Sequence, residues 1–321
     1  MKTNTSVKIA AVLLGVGILY ALPYAVRGQP YVLHVLALSC LYAIPAIGLN
    51  VMLGYTGLVS LGHMAFAGIG AYTAAVLMVD AKLSFWLALV LASLAAGAAG
   101  FAVGAICLRF RTHYFMIVTL AFGLLLHQVM NNWDAVTRGA AGFPGIPRPA
   151  PLALGEWTYA FGPLPNFYRL ALTGVLIAFA LQWLIVNSDF GRVLAAIRQD
   201  EKLAGFKGAN TMLYKTTVFA IGSSIAGFGG VLFVSFLRAA SPDAFSLAES
   251  INMVLIVIIG GAGYLAGPII GALVYIAVPE YLRAANELRL VIFGVLLVII
   301  TLYAPQGLAG LAERAFRGLR R

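Results

Sequence analysis

Charge is what this chain has least of. Only 10% of its 321 residues are Asp, Glu, Lys or Arg, with 11 acids against 21 bases, and no acid stands in the middle of a hydrophobic run. Asp80, Glu249 and Glu280 all fall near the ends of such runs. An ion-coupled secondary transporter needs ionisable groups within its spans to hold the coupling ion, so the composition counts against that class. Cys40 and Cys107 are the only cysteines, and their number and spacing suggest neither a disulfide framework nor a zinc site. They read as buried structural thiols. Also missing are the glycine-rich phosphate loop ending in Lys-Ser/Thr, the His-Glu-x-x-His zinc motif, the Gly-x-Ser-x-Gly nucleophile elbow and any Cys-x-x-Cys. A membrane enzyme would want His, Asp or Glu clustered near one membrane face, and no such cluster occurs. No cofactor or metal is implied, enzymatic activity is not expected, and any ATP that drives this protein must be hydrolysed by another subunit.

Apolar sequence, by contrast, is abundant: 62% of the chain is hydrophobic, and runs of about 20 residues, the length a bilayer-spanning helix requires, recur from end to end. Hydropathy places spans near residues 8–26, 31–53, 58–79, 85–108, 114–133, 168–186, 214–237, 251–261, 264–279 and 288–303. The expected fold is an all-α polytopic membrane protein of about ten transmembrane helices, in one domain covering residues 1–321. One or more spans are short or interrupted. The eighth is too short to cross alone and reads as a half-helix turning back at Gly260-Gly261-Ala262-Gly263, which leaves eight or nine full crossings as alternatives. Residues 134–167, rich in Gly and Pro, are expected to form an external loop with at most one short helix.

Basic residues set the orientation, because loops retained in the cytoplasm carry the excess of Lys and Arg. Lys2 and Lys8, then Arg109 and Arg111, then Arg192, Arg198, Lys202, Lys207 and Lys215, then Arg314, Arg317, Arg320 and Arg321 all fall on one side if the count is ten. Both termini are therefore expected in the cytoplasm, with a basic tail over residues 309–321. The net charge of +10 reads as topology and contact with membrane lipid, not as nucleic-acid binding. The first span resembles a signal peptide, but its removal would leave an odd number of spans and break the charge pattern.

Two glycine-punctuated stretches stand apart from the rest. Residues 48–63 place Asn50, Ser60 and His63 inside an apolar run, where polar groups cost free energy unless something uses them. Residues 54–70 in the first half and 260–271 in the second are each apolar segments interrupted by closely spaced glycines, and such pairs point to a transport pathway. Asn50, Ser60, His63, Gly260, Gly261 and Gly263 are the candidate pathway residues; His63 either lines the route or bonds a neighbouring helix. Ala92, Ala96, Gly100 and Gly104, and again Gly267 and Gly271, recur at i, i+4 and read as close helix contacts. His127, Gln128, Asn131 and Asn132 make two polar faces suited to an interfacial position.

The segment 188–213 is the largest cytoplasmic loop. Phe190, Val193, Leu194 and Ile197 recur at helical spacing, Asp189 is placed to cap, and Arg192, Arg198, Asp200 and Glu201 fall on the wet side. Such a helix would lie across the inner face of the bundle with one side left for a partner.

Five blocks carry a family likeness: Gly48-Leu49-Asn50 through Gly70-Ala71-Tyr72; Tyr114 through Gly123; Phe190-Gly191-Arg192 through Asp200-Glu201; Ile259-Gly260-Gly261-Ala262-Gly263 through Gly271-Ala272; and Ala304-Pro305-Gln306-Gly307-Leu308. In this order they resemble the LivM-type permeases of branched-chain amino acid ABC importers. The resemblance implies a multi-pass permease of the bacterial inner membrane. Its implied partners are a second, related permease subunit, two cytoplasmic ATP-binding subunits and an external solute-binding protein. The 188–213 loop would carry the coupling helix, with Arg192, Arg198, Asp200 and Glu201 toward the ATPase. Relatives of this type also serve urea, short amides and aromatic acids. Two departures stand out: Gly205 where the family is rich in Ala and Glu, expected to end the docking helix early, and Arg138 in the outer loop, free to meet a binding protein, a carboxylate or solvent.

Overall fold

Backbone groups inside a bilayer have no water to bond, so an apolar chain must close its hydrogen bonds within itself, and helices do so segment by segment. The computed structural model describes residues 5–26, 28–109, 112–154, 157–282, 292, 294–295, 297–298, 302–304 and 306–318. Its helices are α1 (Thr5–Ala25), α2 (Pro30–Thr56), α3 (His63–Ala75, prolonged by a π-helical turn over Val76–Asp80), α4 (Phe85–Cys107), α5 (Thr112–Asn132) and the one-turn α6 (Asp134–Thr137). There follow α7 (Leu164–Asn187), α8 (Asp189–Gln199), α9 (Glu201–Phe206), α10 (Thr211–Leu237), α11 (Leu247–Gly260), α12 (Gly267–Tyr281) and α13 (Gly307–Gly318).

Six of these, α2 to α5 with the π-helical turn included in α3, α7 and α10, are long and apolar enough to cross a membrane; α1, α11 and α12 contribute shorter apolar helices. The fold is thus a mostly helical polytopic bundle. The tenth expected span, 288–303, lies almost wholly outside the described residues, as do Lys2, Arg111, Arg320 and Arg321.

At the centre stand α2, α3 and α10, the most buried of the membrane-length helices, with α3 against both of the others. Helix α4 lies on α10 through the expected stripe, Ala92, Ala96, Gly100 and Gly104, all buried. A Cβ at Gly104 would stand 3.1 Å from the Phe219 ring, so the small residues are what let these two backbones approach. Helix α7 runs along α2, and α12 packs on α11 through Gly267 and Gly271.

Three expectations need correction. Helix α3 begins at His63, not near residue 58: residues 57–62 are non-helical because Gly57 turns left-handed (φ 74°) and closes α2 with its N–H on Leu53 O at 3.2 Å. The outer loop is not purely irregular: β1 (Phe143–Pro144) pairs with β4 (Ala239–Ala240), and β2 (Leu152–Leu154) with β3 (Trp157–Tyr159), both antiparallel. The pairing of β1 with β4 holds the loop over the C-terminal end of α10. Helix α8 is capped by Ser188, whose Oγ accepts from Gly191 N at 3.3 Å, while Asp189 is already inside the helix.

Candidate functional site

Helix α2 ends deep in the structure, and the last carbonyls of any helix lack partners from their own ladder. Leu53 O takes the N–H of Gly57; Gly54 O takes a side chain, the guanidinium Nη1 of Arg198 from α8. A cation at the negative end of the α2 macrodipole is favourable, and here it comes from α8, not from the last turn of α2 itself.

Directly beside Gly54 lies the turn that joins α11 to α12. Gly261 (φ 112°) and Gly263 (φ 89°) supply positive φ values that other residues avoid, and the turn closes through Tyr264 N on Gly261 O and Gly267 N on Tyr264 O, each at 3.2 Å. Asn50, fully buried on α2 one turn before Gly54, grips this turn with both ends of its amide. Its Oδ1 accepts from Gly263 N at 2.9 Å and its Nδ2 donates to Tyr264 O at 3.0 Å. The buried amide is thereby satisfied, which is what makes it tolerable there. Space at the meeting point is minimal: a Cβ on Gly54 would sit 2.5 Å from Gly263 N and 2.6 Å from Asn50 Oδ1. A polar notch of about 350 Å³, lined by Gly54, Tyr55, Ala195, Arg198, Gln199 and Gly263, opens beside the contact.

The far side of the turn is held by residues that the sequence offered only as part of a likeness. Tyr264 Oη donates to Gln306 Oε1 at 3.4 Å, and a Cβ on Gly261 would meet Gln306 O at 2.6 Å. Gly307 (φ 70°) starts α13 in the same place. Nothing in the spacing of Gln306 and Gly307 marked them as neighbours of Gly261; the Pro-Gln-Gly run was the one available signal.

His63 and Ser60 belong to the other break, between α2 and α3. His63 Nε2 lies 2.9 Å from Pro45 O, so the ring bonds the neighbouring helix. Since Pro45 precedes the end of α2 by eleven residues, about 16 Å of helix, α3 starts well inside the bundle. Leu61 N donates to Thr119 Oγ1 of α5 at 3.2 Å and Met64 N to Ser250 Oγ of α11 at 3.1 Å. Ser60 Oγ is buried without a described partner. Above these bonds a cavity of only about 10 Å³, apolar except for Tyr42 and bounded by Pro45, Met64, Phe233 and Phe245, separates the helices.

The amphipathic segment 188–210 is placed by its own residues. Leu194 and Ile197 are buried, Leu194 against Val51 of α2 and Val218 of α10, and Phe190 stacks on Tyr214 at 5.1 Å. Gly191 is required at the corner, where a Cβ would strike the Val186 carbonyl carbon at 2.7 Å. Arg192 is exposed and paired with Asp189. Asp200 breaks the helix and caps α9, its Oδ1 accepting from Lys202 N at 2.9 Å and Leu203 N at 3.0 Å. Glu201 binds the buried Lys215 of α10 at 2.6 Å. The break therefore falls at Asp200, while Gly205 sits inside α9 in open space. Arg138 pairs with Asp80 at 2.9 Å and lies 4.3 Å over the Phe143 ring.

Residues 31–301 match the family of permease components of branched-chain amino acid transport systems. The chain belongs to this family. The LivM permease protein of Escherichia coli is 34% identical over 290 residues, 84% of this chain and 68% of that protein, with the Salmonella typhimurium LivM alike. The LivH permease protein of Salmonella typhimurium is 26% identical over 295 residues, 86% of this chain and 93% of its own. No solved structure gives a significant match. As a member of this permease family the chain is a multi-pass membrane protein, and its relatives fall into two related kinds, LivM and LivH, of which it stands nearer the first.

Proposed function

We propose that this protein is the LivM-like permease subunit of an ABC importer and translocates branched-chain amino acids handed to it by an external solute-binding protein. It pairs with a LivH-like second permease, and two cytoplasmic ATP-binding subunits supply the energy. Residues 1–321 then make one transmembrane permease domain of about ten crossings with both termini in the cytoplasm. Helix α8 is the coupling helix. Arg192, Asp200 and Glu201 lie on or next to its exposed side and face the ATPase; Arg198 reaches the other way, to Gly54.

The observation that carries this reading is the bonded route from α8 through Arg198 and Gly54 to the Gly263 turn and Asn50. A docking helix that merely rests on the bundle would move alone; this one is tied to the interruption in the spans, so a displacement of α8 moves the turn. Asn50, Ser60, His63, Gly260, Gly261 and Gly263 mark the pathway, and its lining, nearly free of fixed charge, suits a small zwitterion that passes without tight binding.

The test is ATP hydrolysis by the assembly purified through a tag on this subunit and reconstituted with binding proteins carrying leucine, urea or benzoate. Stimulation by the leucine-loaded protein alone is expected. Stimulation only by one of the others would replace the substrate, and copurification without any ATPase would overturn the importer reading.

A further inference from the structure

Away from the pathway, a cavity of about 510 Å³ opens between α4 and α7. It exists because α4 packs along α10 while α7 packs along α2, so the two helices diverge and leave α10 bare between them. Phe228 and Leu232 of α10 form the floor, and Trp86 of α4 and Ile177 of α7 stand on opposite walls. An apolar space of this volume is not left empty in a close-packed protein, and between membrane-crossing helices the solvent at hand is lipid.

One end of the cavity is cationic. Arg169 at the rim donates Nε to Tyr20 O at 3.4 Å and Nη1 to Asn166 Oδ1 at 3.1 Å and Tyr159 Oη at 3.3 Å, with its guanidinium 4.8 Å over the Tyr24 ring. All of these partners are neutral, and among the described residues no carboxylate lies within ion-pair distance of it. A guanidinium held by oxygen acceptors and aromatic rings at the end of a membrane helix is placed at headgroup depth and is suited to a phosphate.

We propose that this cleft is a site for an anionic phospholipid, one acyl chain lying on Phe228 and Leu232 between α4 and α7 and the headgroup phosphate held by Arg169. Trp86 on the wall reports occupancy directly. The full assembly is reconstituted in bilayers containing phosphatidylglycerol or phosphatidylcholine with brominated acyl chains, and the emission due to Trp86 is taken as the difference from the Trp86→Phe protein. Both lipids are expected to quench it, with phosphatidylglycerol favoured about fivefold, the scale of one cation near an anionic headgroup. Arg169→Gln should remove that preference and Arg169→Lys should keep it, whereas Ile177→Trp, filling the cleft, should add its own emission but protect Trp86 from either lipid. Equal quenching by the two lipids in the unaltered protein would overturn the headgroup assignment. No quenching by either would show that protein, such as the second permease, covers the cleft, and would overturn the site altogether.

Discussion

Two breaks in the bundle, at residues 57–62 and at residues 261–266, use the same residue types for different ends. Both turn on glycines with positive φ, Gly57 in the first and Gly261 and Gly263 in the second. Around the first, the described bonds run to helices of the bundle: Leu61 to α5, His63 to α2, Met64 to α11. The second is bonded to Asn50 inside and touches Gln306 and Gly307 at the start of α13, and the Gly54 carbonyl beside it takes Arg198 of α8. Composition makes a chain break possible; the neighbours decide whether it is a fixed joint or a moving one. The first break is bonded within the bundle, the second also reaches the start of α13, and Arg198 of α8 stands where the two meet.

The largest effect should come from crowding the second break. Gly54→Val places side-chain atoms where the Gly263 backbone already stands, and overpacking against backbone costs on the order of 1–3 kcal/mol or more. Transport in proteoliposomes should vanish and the melting temperature of the purified assembly should fall. Retained transport would mean that the turn moves aside freely.

Next in size, Asn50→Leu strands the N–H of Gly263, at about 1–3 kcal/mol for a buried group left unpaired, and takes one of two donors from Tyr264 O, which keeps Gly267 N. His63→Leu takes a second partner from Pro45 O, which keeps its bond within α2, and should cost less in thermal unfolding. The comparison sharpens if Asn50→Leu also lowers transport per ATP hydrolysed while His63→Leu lowers stability alone. Equal coupling defects in the two variants would erase the distinction between the breaks.

Smaller in stability but specific in function, Arg198→Glu replaces a favourable cation at the α2 terminus, a change of about 1 kcal/mol. The ATPase subunits should still copurify while transport per ATP drops, and Arg198→Lys should recover part of it. Loss of copurification would put Arg198 in the ATPase contact instead. The smallest effect belongs to Gly205→Ala, which meets open space within α9 and should stabilise it by up to about 1 kcal/mol with no change in transport.

Much of this was legible in the residues themselves. Long uncharged runs announced the helices, the i, i+4 stripe on α4 announced a close helix contact though not that its partner is α10, and Gly260 to Gly263 announced the turn after α11. The amphipathic period of residues 189–197 placed α8 correctly, but its cap was read one residue late, because Ser188 and Asp189 are both good caps and only the backbone at Ser188 (φ −84°, ψ 171°) is extended. The end of α8 was read from the helix propensity of Gly205, whereas Asp200, an N-cap residue, captured two N–H groups and started a new helix. Propensity is a small preference per residue; a side chain that satisfies two backbone donors outweighs it.

By itself the sequence determined that this is a helical membrane protein, where its apolar segments run, and which glycine-rich stretches could not be ordinary spans, since each follows from local composition and the cost of burying polar backbone. Tertiary structure alone decided the partnerships: Asn50 with a turn more than two hundred residues away, Arg198 with a carbonyl of α2, and the cleft left between α4 and α7. Such contacts depend on how helices of similar apolar surface choose their neighbours in a medium that offers no hydrophobic drive between them, and that choice rests on small-residue fit across the whole bundle, which no local pattern records.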